Sequence, residues 1–227
     1  MHYSVILFDA DGTLLDYDQA ERFALGETFR HFGLRYDPDY HLPLYRRINE
    51  AIWAEFERGL ISTDQLPEER TRRLFSGTQA SVKANEFSAC YLEAMSEAGF
   101  LMDGAAETVA RMHGRCKLAI VTNGVSAVQR SRIRRCGLEK QFACIVVSED
   151  VGVGKPDPAI FEYALAQLGQ PEKDTVLMVG DALGADVQGA IAFGIATCWF
   201  NPSGQENTTG LTPTFEIRGL LQLEKIV

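Results

Sequence analysis

Four short polar stretches contain residues whose types and spacing could do chemistry together. Asp9-Ala10-Asp11-Gly12-Thr13 sets two carboxylates two residues apart, next to a hydroxyl. Thr122-Asn123-Gly124 begins 113 residues after Asp9, and Lys155 comes 33 residues after Thr122. Gly180-Asp181, with Asp186 five residues further on, completes the series. If Asp9, Asp11, Asp181 and Asp186 met at one place they would repel: two carboxylates 4 Å apart do so by roughly 4 kcal/mol at an effective dielectric near 20. Such a cluster needs a cation or a proton. Carboxylate oxygens suit Mg²⁺, which keeps some waters and takes further ligands from carboxylates and phosphate. A metal, a lysine, a hydroxyl and loop amides together would hold a dianion.

Those residues can meet only if the surrounding elements bring them to one edge. Each follows a short, continuously apolar run: 5–8, 117–121, 143–147 or 175–179, with a fifth run at 195–200. Continuous rather than alternating apolarity predicts strands covered on both faces of a parallel sheet. The segments 126–136, 158–168 and 183–193 have the length of crossover helices, and Gly137 and Gly194 follow two of them as C-caps. This alternation predicts an α/β doubly wound parallel sheet, in which ligands bind at the carboxyl ends of the strands. Residues 17–100 break the alternation and read as a helical insertion, so the expected domains are 1–16 plus 101–227 and 17–100. Tyr45, Ile48, Ile52 and Phe56 give the insertion an apolar helix face. Glu68 with Arg72 and Glu69 with Arg73 are i,i+4 pairs, and Asp16 and Asp18 are candidate caps. Most of its rings, Phe23, Phe29, Tyr45, Trp53 and Phe56, are expected in its core. One or two could stack on a planar group, with Asn49 hydrogen-bonding its edge. Residues 203–210 read as a surface loop.

The balance of 22 Lys and Arg against 31 Asp and Glu gives a net charge of −9, which argues against a nucleic acid or an anionic membrane as partner. The 46% hydrophobic and 23% charged content excludes a disordered chain. Five cysteines, odd in number and without CxxC spacing, predict free thiols in a cytoplasmic protein. No apolar run approaches 18 residues, and the first residues carry no basic leader. His2, His31, His41 and His113 are scattered and are expected to be structural or solvated.

In order and spacing, Asp9-Ala10-Asp11-Gly12-Thr13, Thr122, Lys155 and Gly180-Asp181 with Asp186 resemble the four motifs of the haloacid dehalogenase superfamily. The match spans most of the chain, and 17–100 resembles that superfamily's helical cap. The runs Val121 to Gly124, Ser148 to Gly152, Lys155 to Phe161 and Ala196 to Asn201 resemble its pyrimidine 5′-nucleotidase branch. The resemblance implies Asp9 as the nucleophile that forms an aspartyl-phosphate. Asp11 would serve as acid and then base, kept neutral at first by neighbouring carboxylates. It also implies that Thr122 donates to a phosphoryl oxygen, that Lys155 offsets charge, and that Asn123 and Gly124 bind substrate. Mg²⁺ would be held by Asp9, the Asp11 carbonyl and Asp181, with Asp186 orienting Lys155 or a water on the metal. Position 182 is Ala where many relatives carry Ser or Thr, which bears on metal affinity. The expected enzyme is a Mg²⁺-dependent phosphomonoesterase acting on a small phosphorylated substrate, a pyrimidine nucleoside 5′-monophosphate, as a monomer or homodimer. Alternatives are a phosphatase or mutase for sugar phosphates and other small esters, a haloacid dehalogenase, and a non-catalytic phosphate sensor. Asp11 argues against a dehalogenase, which needs no leaving-group acid; a sensor would be expected to lose Asp9 or Asp11.

Overall fold

A computed structural model describes residues 3–58, 60–62, 65–76, 78 and 82–227, without the side chains of Phe56 and Glu57. His2 and the Phe56 ring therefore lie outside the described residues. The chain divides into two compact units, Met1–Tyr17 with Gly99–Val227, and Asp18–Ala98. In the first unit six strands form one sheet: β1 (Val5–Phe8), β2 (Lys117–Thr122), β3 (Cys144–Val147), β4 (Val176–Gly180), β5 (Ala196–Phe200) and β6 (Phe215–Ile217). Their order is β3-β2-β1-β4-β5-β6, and every pairing is parallel. The chain winds one way from β1 to β3 and the other way from β4 to β6, so strand order reverses between β1 and β4. That reversal opens the crevice in which such sheets bind ligands.

The second unit holds the helices α1 (Tyr17–His31), α2 (Pro38–Glu57), α3 (Leu66–Leu74) and α4 (Ala84–Glu97). Its core gathers around Phe29, whose ring meets Tyr36, His41, Phe75 and Phe87. Tyr45 and Ile52 are buried on α2, whereas Ile48 is half-buried. The expected ion pairs form, Arg72 with Glu68 at 3.1 Å and Arg73 with Glu69 at 2.9 Å. Where the first unit gives way to this insertion the two chain ends are stapled: Met102 N–H donates to the Leu14 carbonyl and Asp16 N–H to that of Phe100, both at 3.0 Å.

The remaining helices are α5 (Ala105–Met112), α6 (Ser126–Arg135), the single turn α7 (Ser148–Val151), α8 (Pro158–Gln167) and α9 (Gln188–Phe193). Alternate residues of β1 serve opposite layers. Ile6 and Phe8 pack with Ala105, Val109 and Met112 of α5 and Ile133 of α6. Val5 and Leu7 pack with Ile160, Phe161 and Ala164 of α8 and Ala190 and Phe193 of α9. Both faces are covered, which is why the strands are continuously apolar.

Two details depart from expectation. Residues 183–193 do not make one helix: a π turn, Leu183–Val187, precedes α9. Val187 N–H reaches back to the Ala182 carbonyl at 3.3 Å, and the wide turn leaves Asp186 buried. The sheet also gains β6, three residues long and too short for any periodicity to register. Among the described residues no helix is long and apolar enough to cross a membrane, and all five cysteines are free.

Candidate active site

The parallel register sets the site residues side by side. Phe8 pairs with Ile120 on one flank and with Val179 on the other, so Asp9, the next residue, falls between the ends of β2 and β4. Its N–H donates to the Val179 carbonyl at 2.9 Å. Thr122 is the last residue of β2, and Asp181 follows the last residue of β4. At Gly12 the chain turns with φ +82°, a conformation natural to glycine, and a Cβ there would lie 2.5 Å from Asp181 Oδ2. Only glycine lets the loop pass this close to that carboxylate.

Lys155 joins the cluster from the loop before α8. Its Nζ donates to Asp9 Oδ1 at 2.5 Å and to Asp186 Oδ1 at 2.7 Å, and all three side chains are buried. Asp186 Oδ2 accepts from Ala182 N–H at 3.0 Å, so both of its oxygens are engaged. Asp181 Oδ1 accepts from the Thr13 hydroxyl at 3.2 Å, and the Asp181 carbonyl from Trp199 Nε1 at 2.9 Å. Burial pushes the Asp9 carboxyl well above the usual range, with Asp186 and Asp181 adding to the shift and Lys155 opposing it. Asp181 is pushed up to about 6, by burial first and by Asp186 second. The two aspartates hold the Lys155 ammonium above its ordinary value against the effect of burial.

Ligand oxygens of Asp9, Asp181 and Asp186 lie within 4.8 Å of one another, and among the described residues no other such group of His, Cys, Asp or Glu forms. Three carboxylates face one ammonium. That excess of buried negative charge fits a hard divalent cation with oxygen ligands. Since Asp186 is occupied by Lys155 and the Ala182 amide, Asp9 and Asp181 are the side chains left to hold it.

The structure gathers three of the four aspartates and sets the fourth apart. Asp11 lies outside the acidic group, and its carboxylate accepts from Gln129 Nε2 and from the Arg132 guanidinium. The neighbouring carboxylates expected to surround it surround Asp9 instead, because β1 ends at Phe8 and the chain then turns. Thr122 is buried, and its Oγ1 accepts from Gly124 N–H and Gln129 Nε2, both at 3.3 Å. Both partners donate, so the Thr122 hydrogen is used by neither. Asn123, expected at the substrate, has its amide on the Lys155 backbone: Oδ1 accepts from Lys155 N–H at 2.8 Å and Nδ2 donates to the Lys155 carbonyl at 2.7 Å. Gln129, Arg132 and Trp199 also touch these residues, and none of them lies in the four polar stretches. The signal for the first two was their i,i+3 spacing on α6, directly after Thr122-Asn123-Gly124, on the side that also carries the buried Ile133.

Comparison with known proteins points to the family that the motifs resemble. A family model described as haloacid dehalogenase-like hydrolase matches residues 3–194. Pyrimidine 5′-nucleotidase YjjG of Escherichia coli is 34% identical over 100% of this chain and 99% of its own length. Pyrimidine 5′-nucleotidase PynA of Streptococcus pneumoniae is 34% identical over 96% of this chain and 92% of its own. Among solved structures, a magnesium-bound crystal of the HAD-hydrolase YfnB of Bacillus subtilis superposes with a TM-score of 0.93 at 34% identity, covering 100% of this chain and 99% of that one. With its motifs at the strand ends, its reversed sheet order and these full-length likenesses, this chain belongs to the haloacid dehalogenase-like hydrolase family.

Proposed function

We propose that the protein is a Mg²⁺-dependent phosphomonoesterase that hydrolyses pyrimidine nucleoside 5′-monophosphates through an aspartyl-phosphate. The observation that carries this reading is Lys155 bridging Asp9 and Asp186 beside Asp181, where strand order reverses. A carboxylate oxygen of Asp9 attacks phosphorus, and the ester P–O bond breaks with its electron pair going to the leaving oxygen. Asp11 gives that oxygen a proton; it then takes one from the water that attacks the aspartyl-phosphate, releasing phosphate and restoring Asp9. Thr122 donates its unused hydrogen to a phosphoryl oxygen, and Lys155 offsets charge on the nucleophile and the phosphoryl group. Asn123 acts through Lys155 by holding its loop, and Asp186 does so by holding its ammonium. Asp9, Asp181 and the Asp11 carbonyl would hold Mg²⁺, which would supply the positive charge that lets a dianion approach these carboxylates. The magnesium in the YfnB crystal supports this choice of ion.

The nucleotide preference rests on the two nucleotidase relatives and on the helical insertion, which we assign as the cap that selects the leaving group. Phe29 and Tyr45 are consumed by its core. Trp53 and Phe23 are half-buried, and Asn49 lies one turn before Trp53 on α2 with a buried Oδ1 that has no partner among the described residues. A ring and an amide one turn apart suit stacking and edge recognition of a planar base. The five free thiols suit a reducing compartment, the cytoplasm. A screen of phosphate esters with and without Mg²⁺ tests the reading. Uridine or thymidine monophosphate is expected to exceed glucose and glycerol phosphates in kcat/KM by at least about tenfold, about 1.4 kcal/mol. Trp53→Ala with Asn49→Ala should erase that gap while sparing aryl phosphates. A hexose phosphate as best substrate would overturn the nucleotidase assignment, and full activity after chelation would overturn the metal.

A further inference from the structure

Arg132 and Gln129 of α6 touch the residue to which the mechanism gives its protons, yet neither belongs to the motifs that marked the site. The Arg132 side chain is wholly buried, and its NH1 donates to Asp11 Oδ1, while the Asp11 side chain is 28% exposed at the rim. A guanidinium held still by burial and reaching outward through NH1 restrains where that carboxylate can sit. Gln129, also buried, donates from one Nε2 to both Asp11 Oδ2 and Thr122 Oγ1. It therefore ties the proton-transfer residue to the hydroxyl that grips phosphate. Room for this amide comes from Gly124, where a Cβ would lie 2.2 Å from Gln129 Nε2. Thr122-Asn123-Gly124 thus ends in glycine for a reason local to α6.

We propose that Arg132 and Gln129 are positioning residues that act through Asp11: Arg132 anchors its carboxyl on one side, and Gln129 sets its separation from Thr122. The proposal rests on the phosphomonoesterase reading above. A general acid matters for a poor leaving group and little for p-nitrophenolate, so displacing Asp11 should penalise the two ester types unequally.

The test measures kcat/KM for uridine 5′-monophosphate and for p-nitrophenyl phosphate, with Mg²⁺, in wild type, Arg132→Met, Arg132→Lys, Gln129→Leu and Asp11→Asn. Thermal melts accompany each protein. Since a general acid contributes 10²–10⁴-fold, Arg132→Met and Gln129→Leu are each expected to lower the ratio of nucleotide to aryl rate by about tenfold or more. Arg132→Lys, which keeps the charge, should recover much of the loss. On an Asp11→Asn background Arg132→Met should add little, since what it positions is already gone. If Arg132→Met fails to fold, Gln129→Leu carries the same comparison. Equal losses on both esters, or losses that multiply fully on the Asp11→Asn background, would show a purely structural role and overturn the inference. Should Asp11→Asn itself spare the nucleotide, or the wild type cleave neither ester, the phosphomonoesterase reading falls and takes the inference with it. An alkyl-selective loss in Asp11→Asn alone sinks only the inference.

Discussion

Asp9 and Asp11 are separated by one alanine, and their surroundings could hardly differ more. Asp9 is buried among Asp181 and Asp186 and touches one cation, Lys155. Asp11 stands at the rim, outside that acidic group, with an arginine and an amide on its carboxylate. Near neighbours in sequence are thereby given different surroundings: one carboxylate is packed where negative charge accumulates, the other beside donors that hold it. The pattern is a general one, in which two carboxyl groups take separate roles because their environments differ.

Four measurements would break or sharpen that contrast. The largest effect is expected from Asp9→Asn, a near-isosteric change that should leave folding intact and reduce p-nitrophenyl phosphate turnover by roughly 10⁴-fold or more, as removal of a nucleophile does. Substantial residual turnover would exclude Asp9 from covalent catalysis. Asp11→Asn comes next: nucleotide hydrolysis should fall by about 10²–10⁴-fold and aryl hydrolysis far less, measured as kcat/KM so that the first chemical step is read. If the two ester types lose equally, Asp11 is not the acid.

The other two concern stability and carry opposite signs. Asp11→Ala leaves the buried Arg132 guanidinium without this carboxylate. Removing one partner of a buried ion pair costs 3–5 kcal/mol, and for this partly exposed pair we expect about 1–3 kcal/mol, or a fall in Tm of roughly 3–10 °C. Asp181→Asn should do the reverse in metal-free protein. The folded Asp181 carboxyl sits at about 6, and an unfolded aspartate near 3.9. Folding then binds a proton more tightly, so this residue takes nothing from stability below about pH 4 and progressively more as pH rises to about 6, with a plateau above. Removing the charge should stabilise the protein at pH 7.5 in chelator by of order 1–3 kcal/mol at most, read as a rise in Tm, with the gain vanishing near pH 4 and shrinking when Mg²⁺ is restored. Melts of both variants across pH 4–8 check the pair. A fall for Asp181→Asn, or none for Asp11→Ala, would show the two environments are not as different as their contacts imply.

Much of this was legible in the amino-acid order, for physical reasons that also say where it stopped. Five strands were readable because each is covered on both faces, and the ends found, such as Lys117–Thr122 against 117–121, differ by a residue. Asp9, Lys155, Asp181 and Asp186 could be brought together in advance because parallel strands share one carboxyl edge. Arg132 could not. Helix α6 also carries Arg130, Arg134 and Arg135, and residue type alone cannot tell the buried Arg132 from the exposed Arg134. Distinguishing them needs the sheet beneath. The π turn before α9 was hidden likewise, since it depends on where Asp186 must point rather than on helix propensity.

The staple between Leu14 and Met102 has a consequence for the entropy of the chain. Val5 pairs with Lys117, so β1 and β2 would otherwise close a loop of more than a hundred residues. With Met102 N–H on Leu14 O and Asp16 N–H on Phe100 O, a chain running from Asp9 to Lys117 bypasses the insertion. Counted that way the loop is about twenty residues, and logarithmic closure makes it cheaper by about 1.5 kcal/mol. To the sheet, then, the 18–98 segment is a side branch hung from a short connection. Its length and fold are free to change at little cost to the β1–β2 pairing that positions Asp9.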